Sequence, residues 1–145
     1  MTLPPSLTRW PGYLLTFIAE HSSERFDRAL AVDGLKGRHV SVLAVVDAEG
    51  AMSQRALGRR LRIDKSPLVG VIDDLEAGGY AERRRSPRDR RVQEIHLTES
   101  GRHVLRRAEK LADRENARAF SVLDDEEREQ LQAMLLRVAE RQARG

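Results

Sequence analysis

The sequence predicts a mainly α-helical chain that carries one short β-hairpin. Three observations support this. Apolar residues recur at helical spacing over most of the 145 residues. Between Tyr80 and Leu97 that period gives way to alternation. Pro67 and the pair Gly78-Gly79 punctuate the centre of the chain, where one helix starts and stops.

The first helix is predicted from near Thr8 to about Ala31, with Leu14, Leu15, Phe17, Ile18, Phe26 and Leu30 as a broad apolar stripe. A second follows Gly37 and ends before Gly50. It is apolar nearly all round, which predicts burial. Two short helices joined by a tight turn come next. Ser53 is the expected N-cap of the first, and Leu57 and Leu61 lie on its core face. The second is predicted to begin near Ser66 with Pro67 at its first position, where a missing N–H is harmless. Its Leu68, Val71, Ile72 and Leu75 fall at i, i+3, i+4 and i+7, a one-sided stripe. Gly78-Gly79 ends it.

Ala81 to Arg85 and Val92 to Leu97 then read as two strands, joined by the polar turn Ser86-Pro87-Arg88-Asp89-Arg90. Thr98 is expected to cap a long helix to about Arg118, with Val104, Leu105, Ala108, Leu111 and Ala112 on one side. A last helix is predicted from near Asp124. Its first turn holds Asp124, Asp125, Glu126 and Glu127, which suit the positive end of the helix dipole, and its stripe is Leu131, Met134, Leu135 and Val138.

Composition narrows the function. The chain is 34% charged and only 4% aromatic, with a net charge of +3. Ten arginines and one lysine stand against six acids between Ser53 and Arg91, so the positive charge sits in the middle third and the remainder is net negative. A localised basic zone suits a polyanion. The absence of cysteine excludes a disulfide scaffold, a zinc finger and a thiol redox sensor, and fits the cytoplasm. No run of about 18 apolar residues occurs, so no membrane span is expected. Met1 to Pro11 is polar and proline-bearing, unlike a secretory signal.

Helix, helix, tight turn, helix and hairpin is the order of a winged helix-turn-helix. The second helix of the pair must pack one face and offer the other to base edges in a major groove. The outer face offers Lys65, Ser66, Pro67, Val69, Gly70 and Asp73, and Ser53 and Gln54 begin the preceding helix. Lys65 and Ser66 lie at a helix N-terminus, where phosphate oxygens are favoured. Val69 suits either a thymine methyl or a neighbouring helix. Gly70 costs about 1 kcal/mol of helix stability relative to Ala, so a local reason for it is expected, such as close approach to DNA. The hairpin carries Arg83, Arg84, Arg85, Arg88, Arg90 and Arg91, with only Glu82 and Asp89 opposing within it. Such a protrusion suits a phosphate backbone with one arginine in the minor groove; the other reading is a basic edge that resists strand aggregation.

From about Gly37 to Gly101 the chain resembles the multiple-antibiotic-resistance regulator (MarR) family. The residues that carry the likeness are Leu57 and Leu61, Leu75-Glu76, Gly79-Tyr80, Arg83, Pro87, Asp89-Arg90-Arg91 and Leu97-Thr98-Glu99-Ser100-Gly101. The resemblance implies a homodimer on palindromic double-stranded DNA, built from interlocked N- and C-terminal helices. It further implies a recognition helix over about 66–78 in the major groove and a wing over about 83–92 in the minor groove. Asp89 and Arg91 match the family's wing-bracing acid and base; Arg90 or Arg91 is then the minor-groove residue, with Arg90 favoured. The corresponding division is 1–36 and 99–145 for dimerisation and 37–98 for DNA binding. Repression relieved by a small effector is also implied. The chain departs from the family where Thr or Ser and then Arg are common in the recognition helix: here stand Pro67, Val69 and Gly70.

Trp10, Tyr13, Phe17 and His39 are candidates to line a site for an amphipathic or aromatic effector, against core or dimer packing as the alternative. His21, His96 and His103 have no metal-like spacing. No cofactor is expected, and no catalytic set is visible. Two rivals remain: a winged-helix module that docks an acidic protein without reading bases, and an enzyme using Glu94 with His96, which alternation places on one face of a strand.

Overall fold

The computed structural model describes residues 2–145. In order, its elements are α1 (Pro5–Thr8), α2 (Pro11–Leu30), a 3-10 turn (Ala31–Asp33), α3 (Gly37–Glu49), β1 (Met52–Ser53), α4 (Gln54–Leu61), α5 (Lys65–Ala77), β2 (Ala81–Arg85), β3 (Gln93–Leu97), α6 (Glu99–Ala119) and α7 (Asp125–Arg144). The mainly α class with a hairpin is the one the sequence predicts.

Local chemistry explains the boundaries. The first predicted helix starts three residues later than expected. Trp10 precedes a proline and is extended (φ −104°, ψ 115°), so Pro5–Thr8 forms a separate turn and α2 begins at Pro11. Two side chains satisfy the N-terminal donors of α3. The Lys36 N–H donates to His39 Nδ1 at 2.9 Å, and the Gly37 N–H to Asp27 Oδ1 at 2.7 Å. Ser53 caps α4 as expected, its Oγ accepting from the Ala56 N–H at 3.2 Å. Helix α5 starts one residue early, so Pro67 is third in it, not first. The position is equally harmless, because the first intrahelical bond there comes from the Leu68 N–H, to the Asp64 carbonyl. At the other end Gly79 takes φ 74°, and the Tyr80 and Gly79 amides close back on the Leu75 and Glu76 carbonyls. Asp124 is the N-cap of α7 rather than part of its first turn. It accepts from the Glu127 N–H at 2.8 Å while the Glu127 carboxylate accepts from the Asp124 N–H at 2.9 Å.

The sheet has three strands where the sequence suggests two, in the order β1-β3-β2, all antiparallel. Two residues, Met52 and Ser53, make the added edge; a run so short has no alternation to read. On β3, Ile95 and Leu97 are buried, as the alternation requires.

The core lies between α3, α4, α5, α6 and the inner face of the sheet, with Leu43, Leu57, Ile72, Leu75, Ile95 and Leu105 at its centre. All four stripe residues of α5 are buried. Leu30 and Leu35 enter the same core from one end of the chain and Val104, Leu105 and Ala108 from the other, so it crosses residues 36 and 98. The long flanking helices behave differently. α2 buries only Leu30 and α7 buries nothing, leaving Trp10, Leu15, Ile18, Met134, Leu136 and Val138 exposed.

The turn into α6 is the tightest corner. Thr98 Oγ1 donates to the Gly79 carbonyl at 2.7 Å and accepts from the Gly101 N–H at 2.9 Å. A Cβ placed on Gly101 would stand 1.9 Å from the Tyr80 carbonyl oxygen. No rotamer change relieves a clash with backbone. Gly101→Ala is therefore expected to cost about 3 kcal/mol, measured as a lower midpoint in urea unfolding; a midpoint within error of the parent would contradict the corner described here.

Candidate nucleic-acid interface

The helix pair and the hairpin form one surface. Ser53, Gln54, Arg55 and Lys65 line one wall of a cleft whose other wall is Arg83, Arg85, Arg90, Arg91, Val92 and Gln93. A second cleft, between α4 and α5, is lined by Gln54, Arg55, Arg59, Arg62 and Lys65 with Gly58, Ile63, Asp64 and Leu68 at its base. The two are continuous through Gln54, Arg55 and Lys65. Lys65, Ser66, Pro67 and Gly70 are exposed on α5, whereas Val69 is half-buried. Arg85, Arg88 and Arg90 are exposed on the wing. Sequence reading missed Arg55, Arg59 and Arg62. Their signal was present: on a helix that buries Leu57, Arg55 and Arg59 occupy the opposite side, and Arg62 follows at its end. Arg62 also makes the turn between the helices, with φ 53°, and its Nη2 donates to the Ala143 carbonyl at 2.7 Å.

Not every wing arginine is free. Arg83 reaches across to α5, where its guanidinium bonds Glu76 and, at 2.8 Å, Asp73 Oδ1. Burial works against its charge, yet the two carboxylates outweigh this and hold its pKa above the ordinary arginine value. Arg83 is thus turned toward the recognition helix, and Asp73, expected on the outer face, is its partner. Arg84 pairs with Glu82. Asp89 braces the wing tip: Oδ1 accepts from the Arg91 N–H at 3.0 Å and from Nε at 3.1 Å, and Oδ2 from Nη2 at 3.2 Å. This leaves Arg90 as the unbraced guanidinium between them.

The four aromatic and histidine candidates fall on two elements: Trp10, Tyr13 and Phe17 at the N-terminal end of α2, and His39 in α3. His39 is 4% exposed, and both ring nitrogens are engaged. Nδ1 accepts from Lys36, so Nε2 carries the hydrogen and donates to Asp74 Oδ2 at 2.9 Å. His39 thus ties the start of α3 to α5, with both ring nitrogens held by partners within the chain. Phe17 packs against His21 at 4.1 Å between centroids, and the Trp10 ring is covered by the Arg9 guanidinium at 4.4 Å. Tyr13 is half-buried on the same helix. Glu94 and His96 approach to 3.5 Å on one face of β3, opposite Arg84 and Glu82, and read as rungs of a cross-strand charge ladder.

Residues 33–92 match the model of the MarR family. An uncharacterized HTH-type transcriptional regulator of Bacillus subtilis (strain 168), YkoM, is 30% identical over 118 residues, 81% of this chain and 74% of that protein. The chain belongs to the MarR family of transcription regulators. Among solved structures, the transcriptional repressor CouR bound to a 23-mer DNA duplex is 33% identical with a TM-score of 0.85, covering 96% of this chain and 99% of that one. CouR from Rhodococcus jostii RHA1 bound to p-coumaroyl-CoA is 29% identical with a TM-score of 0.79, over 94% and 96%. The turn Asp89-Arg90-Arg91 is a closed bracket, with an acid and a base bonded on either side of a central arginine.

The bracket has a measurable signature. The side-chain and backbone N–H groups of Arg91 hold the Asp89 carboxyl below the usual aspartate range. A pKa depressed on folding gives order that is present above the ordinary aspartate range and is lost as pH falls through the lowered value. The carboxyl carbon of Asp89, followed by NMR, should titrate below free aspartate and return toward it in Arg91→Ala. A midpoint indifferent to that substitution would rule the bracket out.

Proposed function

We propose that the protein is a homodimeric repressor of transcription that binds a palindromic DNA operator and is released by a small amphipathic or aromatic effector. The observation that carries this reading is the basic cleft shared by α4, α5 and the wing, on one surface of the chain. In this reading α5 enters the major groove with Ser66, Pro67, Val69 and Gly70 toward the bases. Ser53, Gln54 and Lys65 hold phosphates beside it, together with Arg55. Arg85, Arg88 and Arg90 follow the minor-groove side, where the potential is most negative, while Arg83, Asp89 and Arg91 fix the wing.

Dimerisation is supported by α2 and α7. A 20-residue helix with no fully buried residue gains little stability from tertiary packing, and its exposed Met134, Leu136 and Val138 need a partner. We assign 1–36 and 99–145 to that contact and 37–98 to DNA, with half-sites about one helical turn apart. CouR gives a precedent for both partners, as a repressor seen with duplex DNA and with p-coumaroyl-CoA. An effector site near Trp10, Tyr13 and Phe17 suits an amphipathic ligand, because these rings lie on the incompletely buried helix. The role is that of a cytoplasmic regulator, not a catalyst.

The test is DNA binding measured against salt. The duplex is one selected by the protein from a random-sequence pool. Arg90→Ala should weaken binding across all sequences and lower the slope of log K against log salt by about one. Ser66→Ala should leave that slope unchanged and alter which sequences are selected. Equal effects of the two substitutions on slope and on selection would contradict the assignment of wing to phosphate and helix to bases.

A further inference from the structure

Gly70 sits in the interior of α5, six residues into a 13-residue helix. Two structural reasons for a helical glycine are absent. Its backbone is not in the left-handed region, since Gly34, Gly50 and Gly79 are the glycines with positive φ among the described residues. Nor does any neighbour need the space, because a Cβ built at Gly70 meets nothing within 4 Å. Gly58, one helix earlier, is the contrast: its Cβ would stand 3.1 Å from the Ile63 carbonyl oxygen, so packing explains it. At Gly70 the fold gains nothing from a missing side chain and loses helix stability by it. The reason must lie outside the chain. Gly70 is exposed, one turn beyond Ser66 and one turn before Asp73 and Asp74, on the helix whose Lys65 joins the two basic clefts.

The two carboxylates beyond it sharpen the point. Asp73 is drawn to Arg83 and Asp74 to His39, so both are held by partners from neighbouring elements instead of extending freely from the helix. The centre of the outer face is therefore bare backbone with the flanking acids held aside. No side chain at position 70 can hydrogen-bond a base, yet the helix axis can come closer to base edges there than at any residue with a Cβ.

We propose that Gly70 is a specificity-determining position of the recognition helix: its bare backbone closes on the floor of the major groove, and sequence preference at that base step is set by steric fit, not by hydrogen bonding. This rests on the DNA-binding reading above. A thymine methyl fills the space opposite Gly70, whereas a base edge without one leaves a gap there; any added methyl on the protein lifts the helix out of register.

The experiment uses the full chain and two fluorescent duplexes of equal length, one carrying the sequence the parent protein selects from a random pool and one with that sequence scrambled. Gly70→Ala should raise Tm by roughly 3 °C, since it removes the helical penalty without a clash. It should weaken binding to the selected duplex at least about tenfold, the size of one mismatched base pair, and change binding to the scrambled duplex less than about twofold. Gly70→Ser should behave alike. Selected-duplex affinity within about twofold of the parent would overturn the proposal, and so would an equal loss on both duplexes, since neither is a sequence effect. A parent protein that enriches no sequence from the random pool would instead overturn the DNA-binding reading on which the proposal stands.

Discussion

The guanidinium of Arg83 joins the two parts of the reading surface, and the geometry of that surface depends on it. Strand β2 and helix α5 are adjacent in sequence, separated by Gly78, Gly79 and Tyr80, but a short connection alone does not fix the angle between them. Arg83 does so by bonding Asp73 and Glu76, one turn apart on the facing side of α5. Exposed ion pairs contribute about 0–1 kcal/mol, so the pairing matters more for direction than for stability. It also has an electrostatic role. Recognition helix α5 carries four acids when its N-cap is included, Asp64, Asp73, Asp74 and Glu76, an unwelcome set opposite a polyanion. Arg83 offsets two of them and the His39 ring binds a third.

This division of labour shows what was legible in the sequence. The elements were, because their signals are local: the stripe of Leu68, Val71, Ile72 and Leu75, the Ser53 and Thr98 caps, and the glycine stop after α5. The concentration of arginine was legible as composition. Which arginines are free was not, since that depends on pairings across the fold. Arg83 and Asp73 stand ten residues apart and His39 and Asp74 thirty-five, with no periodicity linking either pair. For the same reason the burial of His39 and its bond to Asp74 followed only once α3 was laid against α5. Strand β1 escaped notice because its pairing with β3 spans some forty residues of chain and involves only two positions.

The long helices at either end pose the opposite case. Their stripes were readable, but one chain does not use them fully. α6 buries Val104, Leu105 and Ala108 near its start, while farther along Leu111 and Ala112 are only half-buried. α7 makes capping bonds at its start and carries the Arg62–Ala143 contact near its end, and little else holds it in place. Stability and association are then one equilibrium: resistance to unfolding should depend on protein concentration, as it does when no partner-free folded form is well packed.

The corner at Thr98 and Gly101 bears on how motion can pass through such a molecule. With the first turn of α6 seated against the Tyr80 backbone, the base of the hairpin and the head of that helix are welded and turn as one body. Twenty-one residues of α-helix extend about 30 Å. A tilt of about 5° imposed at the distal end thus sweeps the welded corner through roughly 3 Å, close to the rise of one base-pair step.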